Sequence, residues 1–446
     1  MALSGIQIYK LLPQTNCKDC GFPTCLAFAM KLAAKQVELA ACPHVSEESK
    51  SKLAESAAPP IRLVSIKSDG YEAKSGNEVV LFRHEKTFYH KPGLFIQVKD
   101  NQSADEIKTK ITPVDEYQVN YVGIDLAMDG FAVKSTSGDP ATFANAIKTV
   151  RQVSQRPLIL MSSNPSVISA GLQAIDGETP LIHAADRENW EAMADLAKQH
   201  KCPLVVTGDT LDELAELTEK IKAKGVEDLV LDPTGCNFND SLIKLTQIRR
   251  LALKKNFRPL GFPVMTIPGN AEDPAIEAML AVQSIAKYAG FIVLDTFTPE
   301  MAYPLLVLRQ NIYTDPQKPI QVQPGLYEIN NPGEQDPVLV TTNFSITYFS
   351  VANEVEASGL PAWLLVTDAE GMSVLTAWAA GKFDAERIAK SVKGFNVEEK
   401  ISQKRVVLPG HVAVLSGELE EELPGWDIRV GPREAVDIPS FMKQTL

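Results

Sequence analysis

The chain is 446 residues long and 45% hydrophobic, with 44 basic and 56 acidic residues and a net charge of −12. That length suggests about three domains, and the apolar content is too high for a disordered chain. The acidic balance argues against nucleic acid as a principal partner; with no basic-plus-apolar leader and no run long enough to span a bilayer, the expected location is cytoplasmic, with no membrane partner.

Residues 4–12 read as a short amphipathic helix packing through Ile6, Ile8, Leu11 and Leu12, with Pro13 as its stop. Then come Cys17, Cys20 and Cys25 and, after a helical stretch, Cys42-Pro43, a C-x2-C-x4-C-x16-C spacing. Four thiolates with a tight pair at one end suit a tetrahedral zinc or a cubane iron–sulfur cluster. Zinc sites usually pair two such knuckles, and the second is missing here. A closing Cys-Pro belongs to the cluster pattern, so a [4Fe–4S] cluster on Cys17, Cys20, Cys25 and Cys42 is expected. Disulfides would be out of place in a cytosolic chain. One straight helix from Cys25 would carry the fourth sulfur roughly 24 Å away at 1.5 Å per residue. A break near Lys35-Gln36 and a short return are therefore required. Cys202 and Cys236 read as plain core thiols. Residues 56–60, Ser-Ala-Ala-Pro-Pro, have linker composition.

Residues 61–90 alternate apolar and polar around Ser75-Gly76-Asn77, which predicts a β-hairpin or small antiparallel cap. Buried-strand patterns then recur at 95–98, 121–126, 157–162, 180–185, 203–208, 228–233, 263–268 and 291–296, most of them separated by helical segments. The count and the spacing match a TIM (β/α)8 barrel. A Pro/Gly/Asn-rich stretch over 320–333 reads as a connector. Beyond it, strands at 338–342, 363–367, 406–408, 413–415 and 428–430 alternate with helices at 345–357 and from 373 to about 393. That is a small doubly wound, Rossmann-like α/β domain, which binds ligands at the carboxyl ends of its strands. The expected domains are 1–58, 59–322 and 323–446, all of an α/β class with a small helical N-terminal domain.

Candidate chemistry is sparse. Asp125, Asp232 and Asp295 fall at barrel strand ends, where active sites of this fold gather, and His183 follows a strand. These acids show no recognisable polar partners, and helix capping explains them equally well. No HExxH, GxSxG or P-loop string is present, and no catalytic residue is assigned. The acidic run Glu418 to Glu422 reads as a solvated face. In the last domain the loop 368–373 joins strand to helix through Glu370-Gly371-Met372-Ser373, where exposed amides could meet phosphates or the amide arms of a large cofactor.

Read with Phe28-Ala29-Met30 and Cys42-Pro43, the cysteine motif resembles the N-terminal four-iron domain of the corrinoid/iron–sulfur large (gamma) subunit family of the acetyl-CoA (Wood–Ljungdahl) pathway. Residues 340–348 and 367–378 are similar to the same family, so the resemblance spans all three expected domains. It implies a methyl carrier of one-carbon metabolism rather than a stand-alone enzyme. A cobamide in the C-terminal domain would take a methyl from methyltetrahydrofolate through a separate methyltransferase. It would donate that methyl to the nickel site of CO dehydrogenase/acetyl-CoA synthase. The cluster would reduce cobalt(II) to cobalt(I), drawing on a low-potential electron donor. A smaller barrel subunit would complete an obligate heterodimer. Carried over by position, the corrinoid contacts fall on Val340, Ile346, Glu370, Gly371, Met372, Ser373 and Arg433. The D-x-H-x-x-G string is absent, and His411 is the only histidine after His200. The cobamide is therefore expected to be base-off, with no protein histidine ligand. Two rival readings stand beside this one: a pterin-binding barrel methyltransferase using Asp232 or Asp295, and an iron–sulfur electron-transfer protein without corrinoid.

Overall fold

The computed structural model describes every residue except 1–3, 35, 51–52, 54–57, 234, 236, 316–319 and 446. It divides into two compact units, one of residues 1–117 with 127–313, the other of 118–126 with 314–446.

The first unit begins with helix Gly5–Tyr9, opened by a Ser4–Gln7 capping box. It is shorter than expected because Leu11 and Leu12 bond three residues back, to Ile8 and Tyr9, and tighten the last turn. A second helix, Cys25–Ala33, is capped by the Thr24 hydroxyl. A short 3-10 turn, Leu39–Ala41, then leads into Cys42. The helix therefore stops well short of Cys42, as the reach of the chain required. Lys35, Ser56, Ala57 and Cys236 lie outside the described residues.

Strands β1 (Val64–Ser68) and β2 (Tyr71–Ser75) form the expected hairpin, but its turn is Asp69-Gly70. The Ser75-Gly76-Asn77 stretch leaves the hairpin instead: Gly76 has φ +105° and runs against the Arg62 carbonyl, with no room for a Cβ. Val64, Ile66 and Ala73 pack with inward-facing barrel residues such as Phe95 and Phe291, closing the amino-terminal end of the barrel.

That barrel has eight parallel strands: β3 (Gly93–Lys99), β6 (Gly130–Lys134), β7 (Leu158–Met161), β8 (Leu181–Ala185), β9 (Leu204–Thr207), β10 (Leu229–Asp232), β11 (Met265–Thr266) and β12 (Phe291–Leu294). A parallel bridge between Leu231 and Val264, with Leu231 N–H donating to Pro263 O at 2.9 Å, joins β10 to the β11 side and closes the ring. One expected strand is wrong. Residues 121–126 are not in the barrel but in a hairpin of β4 (Gln118–Tyr121) and β5 (Ile124–Ala127), turned by two left-handed residues, Val122 and Gly123. The barrel strand is 130–134, buried almost throughout, as a parallel strand covered on both sides must be. Cys202 is buried beside the barrel, and burial pushes its thiol up to about 12, so it is inert as expected of a core thiol.

One buried ion pair ties the ring together. Arg309, on helix Pro299–Ile312, donates to Pro92 O at 2.9 Å, to Ala127 O at 3.1 Å and to Asp129, and only 1% of its side chain is exposed. Replacing it by leucine strands a carboxylate and two carbonyls. Arg309→Leu should therefore lose about 3–5 kcal/mol in a denaturant titration; a loss under about 1 kcal/mol would mean that water takes over the site.

The second unit holds a five-stranded sheet, in the order β13 (Gly325–Ile329), β15 (Ala362–Thr367), β14 (Val338–Thr342), β16 (Arg405–Leu408), β17 (Asp427–Val430). All but β13 are parallel. The stretch 320–333 is thus not a plain connector: it carries an antiparallel edge strand, a common addition to such sheets. Residues 413–415, expected as a strand, belong to the 3-10 segment Gly410–Leu415. Helices Ser345–Ser358 and Ile438–Thr445 cover one face through Val355, Ile438 and Met442. Helices Val374–Ala379, Ala385–Gly394 and Ser416–Glu422 cover the other. The β4–β5 hairpin joins the first face, with Val122 buried against Val322. No described helix is long and apolar enough to cross a membrane.

Candidate functional site

From β14 the chain moves outward to β15, then crosses back to β16 on the other side of β14. That reversal makes a topological switch point between β14 and β16, and ligands of open α/β sheets bind outside the carboxyl ends there. A cavity of about 360 Å³ lies at this point. Leu339, Val351, Val407, Ile438 and Phe441 supply its apolar wall, and Thr341, Thr347, Ser350 and Ser373 bring hydroxyls. Thr341 Oγ1 is buried and has no hydrogen-bond partner among the described residues. Gly410 lets the loops after β16 and β17 meet, since a Cβ there would stand 2.5 Å from Gly431 O. Those loops bring in His411, Arg433 and Glu434, with His411 Nε2 3.8 Å from Glu434 Oε1.

Four of the seven residues predicted as corrinoid contacts, Val340, Ile346, Ser373 and Arg433, line this cavity. Glu370, Gly371 and Met372 do not. Ala369 and Gly371 donate their amides to Asn343 Oδ1, Glu370 donates to Asp368 Oδ1, and Met372 donates to Ala369 O. The expectation of free amides in this loop therefore fails at residues 369–372. Thr341, Thr347 and Ser350 were missed. Two of them stand three residues apart on the helix opened by the Val340–Tyr348 stretch, a spacing that puts both on one face.

In the N-terminal segment Cys25 and Cys42 are buried with Ile8, Leu12, Phe28 and Val45, and Cys20 packs at the edge of that group. Cys17 is exposed, beside Asp19 and His44. His44 Nε2 lies 2.6 Å from Asp19 Oδ2, a hydrogen bond that holds the Asp19 carboxyl below its ordinary range. Asn16 Oδ1 accepts the Cys25 amide at 2.8 Å, folding the loop back on the helix. Gln14, Asn16, Lys18 and Gly21 all have positive φ, so the loop turns repeatedly between its cysteines. The described cysteines are all unbridged.

The barrel acids do have polar partners, contrary to expectation. Asp232 meets His183 Nε2 at 3.0 Å, and Asp295 accepts from Lys110 Nζ at 2.8 Å. Asp125 lies in the β4–β5 hairpin, exposed and bonded to Asn120, so it is not a barrel residue. The two acids that do sit at the barrel mouth are thus each paired with a basic group.

Comparison with known proteins bears on both sites. A family described as CO dehydrogenase/acetyl-CoA synthase delta subunit matches residues 64–442, and one described as a putative Fe-S cluster matches 12–44. The corrinoid/iron-sulfur protein large subunit of Moorella thermoacetica is 45% identical over 446 residues, covering all of both chains. This chain belongs to that large-subunit family. The acetyl-CoA decarbonylase/synthase complex subunit gamma of Methanopyrus kandleri is 36% identical across 99% of this chain and 98% of its own. Among solved structures, a dihydropteroate synthase of Thermus thermophilus aligns with 56% of this chain and 100% of its own, at 14% identity and a TM-score of 0.39, too loose a match to bear on function. Within the family frame, the two sites fall in the two parts matched separately: the cysteines within 12–44, the switch-point cavity within 64–442.

Proposed function

We propose that the chain is the corrinoid- and iron–sulfur-carrying subunit of an acetyl-CoA-forming system, a methyl carrier and not a self-sufficient enzyme. The observation that carries this reading is the hydroxyl-bearing apolar cavity at the switch point, in a chain that also gathers four unbridged cysteines. Both sites fit their groups. The orphaned Thr341 hydroxyl and the apolar wall suit a large, mostly uncharged ligand with a few polar arms. Cys17, Cys20, Cys25 and Cys42 are the donor set of a four-iron cluster, with apolar packing around Cys25 and Cys42 that restricts water. When bound, the corrinoid supplies a cobalt that accepts and donates methyl, and the cluster supplies the electron that restores it after accidental oxidation. The protein's part is to seat the ligand between the helix from Ser345 and the loops carrying Ser373, His411 and Arg433, and to keep the Cys25 and Cys42 thiolates shielded. Its partners in this reading are a smaller corrinoid/iron–sulfur subunit, a methyltetrahydrofolate methyltransferase, CO dehydrogenase/acetyl-CoA synthase and a low-potential electron donor.

In the same reading the cobamide is base-off, without a protein histidine ligand. An axial imidazole would favour the higher oxidation states and put cobalt(I) further out of reach. His411 is the residue to watch, because it lines the cavity. Anaerobically purified protein should show corrin absorption together with the broad thiolate-to-iron band. Its cobalt(II) EPR lines should be free of nitrogen splitting. A spectrum with the iron band alone would overturn the carrier reading in favour of a pure electron-transfer protein. A nitrogen triplet that disappears in His411→Ala would overturn the base-off, histidine-free site.

A further inference from the structure

Asn343 directly follows β14 and is 2% exposed. It does not line the cavity, yet both ends of its side chain are fully used. Its Oδ1 accepts from Ala369 N at 2.9 Å and from Gly371 N at 3.0 Å. Its Nδ2 donates to Gln321 Oε1 and to Asp368 Oδ1, each at 3.2 Å. Its backbone is engaged as well: the N–H donates to Thr367 O, and the C=O accepts from Val322 N, both at 3.0 Å. One buried amide therefore joins three pieces of chain: the segment before the edge strand, the end of β14, and the turn after β15.

That turn is costly to hold. Glu370 and Gly371 both have positive φ, at +54° and +73°, and the left-handed region is unfavourable for a glutamate. Gln321 closes the turn from the other side, since a Cβ on Gly371 would stand 2.6 Å from Gln321 Nε2. Two residues further on, Ser373, Val374 and Leu375 enter the cavity wall. The amides of Ala369, Glu370 and Gly371 are all taken up inside the protein, so the turn's contribution to a ligand is shape.

We propose that Asn343 is a positioning residue, which sets the 368–371 turn and through it the Ser373–Leu375 wall before the corrinoid arrives. The proposal rests on the corrinoid reading of the cavity. Preorganisation of this kind raises affinity by removing the cost of ordering the wall on binding. The pairing between Asn343 and Asp368 also offers a rescue. With Asn343→Asp alone, two carboxylates face each other. With Asp368→Asn added, the amide introduced at position 368 donates to the carboxylate introduced at position 343. That carboxylate still accepts the two backbone amides, and Gln321 can turn its own amide toward it.

The test uses the full-length protein, cobalamin as the probe, and hydrogen exchange as a readout independent of the ligand. Asn343→Ala should weaken cobalamin binding roughly tenfold or more, and the Ala369 and Gly371 amides should lose protection in the ligand-free protein. Asn343→Asp should be at least as weak, and the Asn343→Asp/Asp368→Asn pair should recover most of the affinity, which a merely structural role for the side chain would not predict. Wild-type affinity in Asn343→Ala with both amides still protected would overturn the proposal. So would a double variant that melts like the wild type yet binds as poorly as Asn343→Asp. Failure of the wild-type protein to take up cobalamin would sink the corrinoid reading instead, and the exchange data would still decide whether Asn343 sets the turn.

Discussion

Anaerobically isolated Cys20→Ala protein should contain almost no iron and show no reduced-state cluster EPR signal, while its corrinoid content stays that of the wild type. Removing Cys20 leaves three of the four thiolates that a four-iron cluster needs. The consequence for folding is local and large. The apolar group around Cys25 and Cys42 is small, with Ile8, Leu12, Phe28, Ala29, Val45 and Leu53 as its other buried members. A core of that size rarely holds a fold without a staple, so binding the cluster and folding the segment should be one event. Hydrogen exchange across the N-terminal segment should therefore rise to near the unfolded limit. The sheet of the second unit has its own cores and should be unaffected. The Cys20→Ala protein should also still accept and donate methyl after chemical reduction, yet fail to recover with a protein electron donor. Stoichiometric zinc in anaerobic wild-type protein, or unchanged iron in the variant, would refute the cluster assignment.

Ser350→Trp should abolish corrinoid binding, lowering affinity by at least about a hundredfold because the ligand's own space is taken, with little change in melting temperature. Ser350 lies on the exposed side of its helix and lines the cavity. An indole there needs no repacking of the sheet and has an apolar cavity of about 360 Å³ to occupy. A side chain of this size buries about 150–250 Å² and removes the room the ligand needs. The iron content should not change, because the cysteines belong to a separate core. Corrinoid binding at wild-type affinity in a folded Ser350→Trp protein would place the ligand elsewhere.

The contrast between what was legible and what was not is physical. Cys17, Cys20, Cys25 and Cys42 stood out directly as a candidate set, because metal chemistry favours particular residue types and spacings in a short stretch, and the region matched by the putative Fe-S cluster family contains all four. The requirement that the helix from Cys25 stop early followed from helix rise alone, and the helix does end at Ala33. The barrel was legible from repeating buried runs, since a parallel strand covered on both faces must be apolar throughout. The same logic failed at 121–126, where Val122, Ile124 and Leu126 look like a buried strand. Only the left-handed backbone at Val122 and Gly123 turns them into a hairpin, and a valine gives no hint of positive φ.

The candidate site divides in the same way. Val340, Ile346, Ser373 and Arg433 were singled out one by one, but their meeting at one cavity depends on the crossover from β15 to β16. Local pattern does not encode the order of strands in a sheet. The loop 368–373 looked like a donor of free amides, because Gly and Ser signal an open turn. Asn343, 26 residues before Ala369, takes the Ala369 and Gly371 amides, and Asp368 Oδ1 and Ala369 O take those of Glu370 and Met372. Residue chemistry and the period of burial were enough to single out four closely spaced cysteines and to establish the acidic balance, the α/β class and the succession of a cysteine-rich segment, a barrel and a smaller sheet. Which runs became barrel strands, where the cavity lies and which amides are consumed within the protein were decided by packing, because each depends on partners that the fold brings from far along the chain.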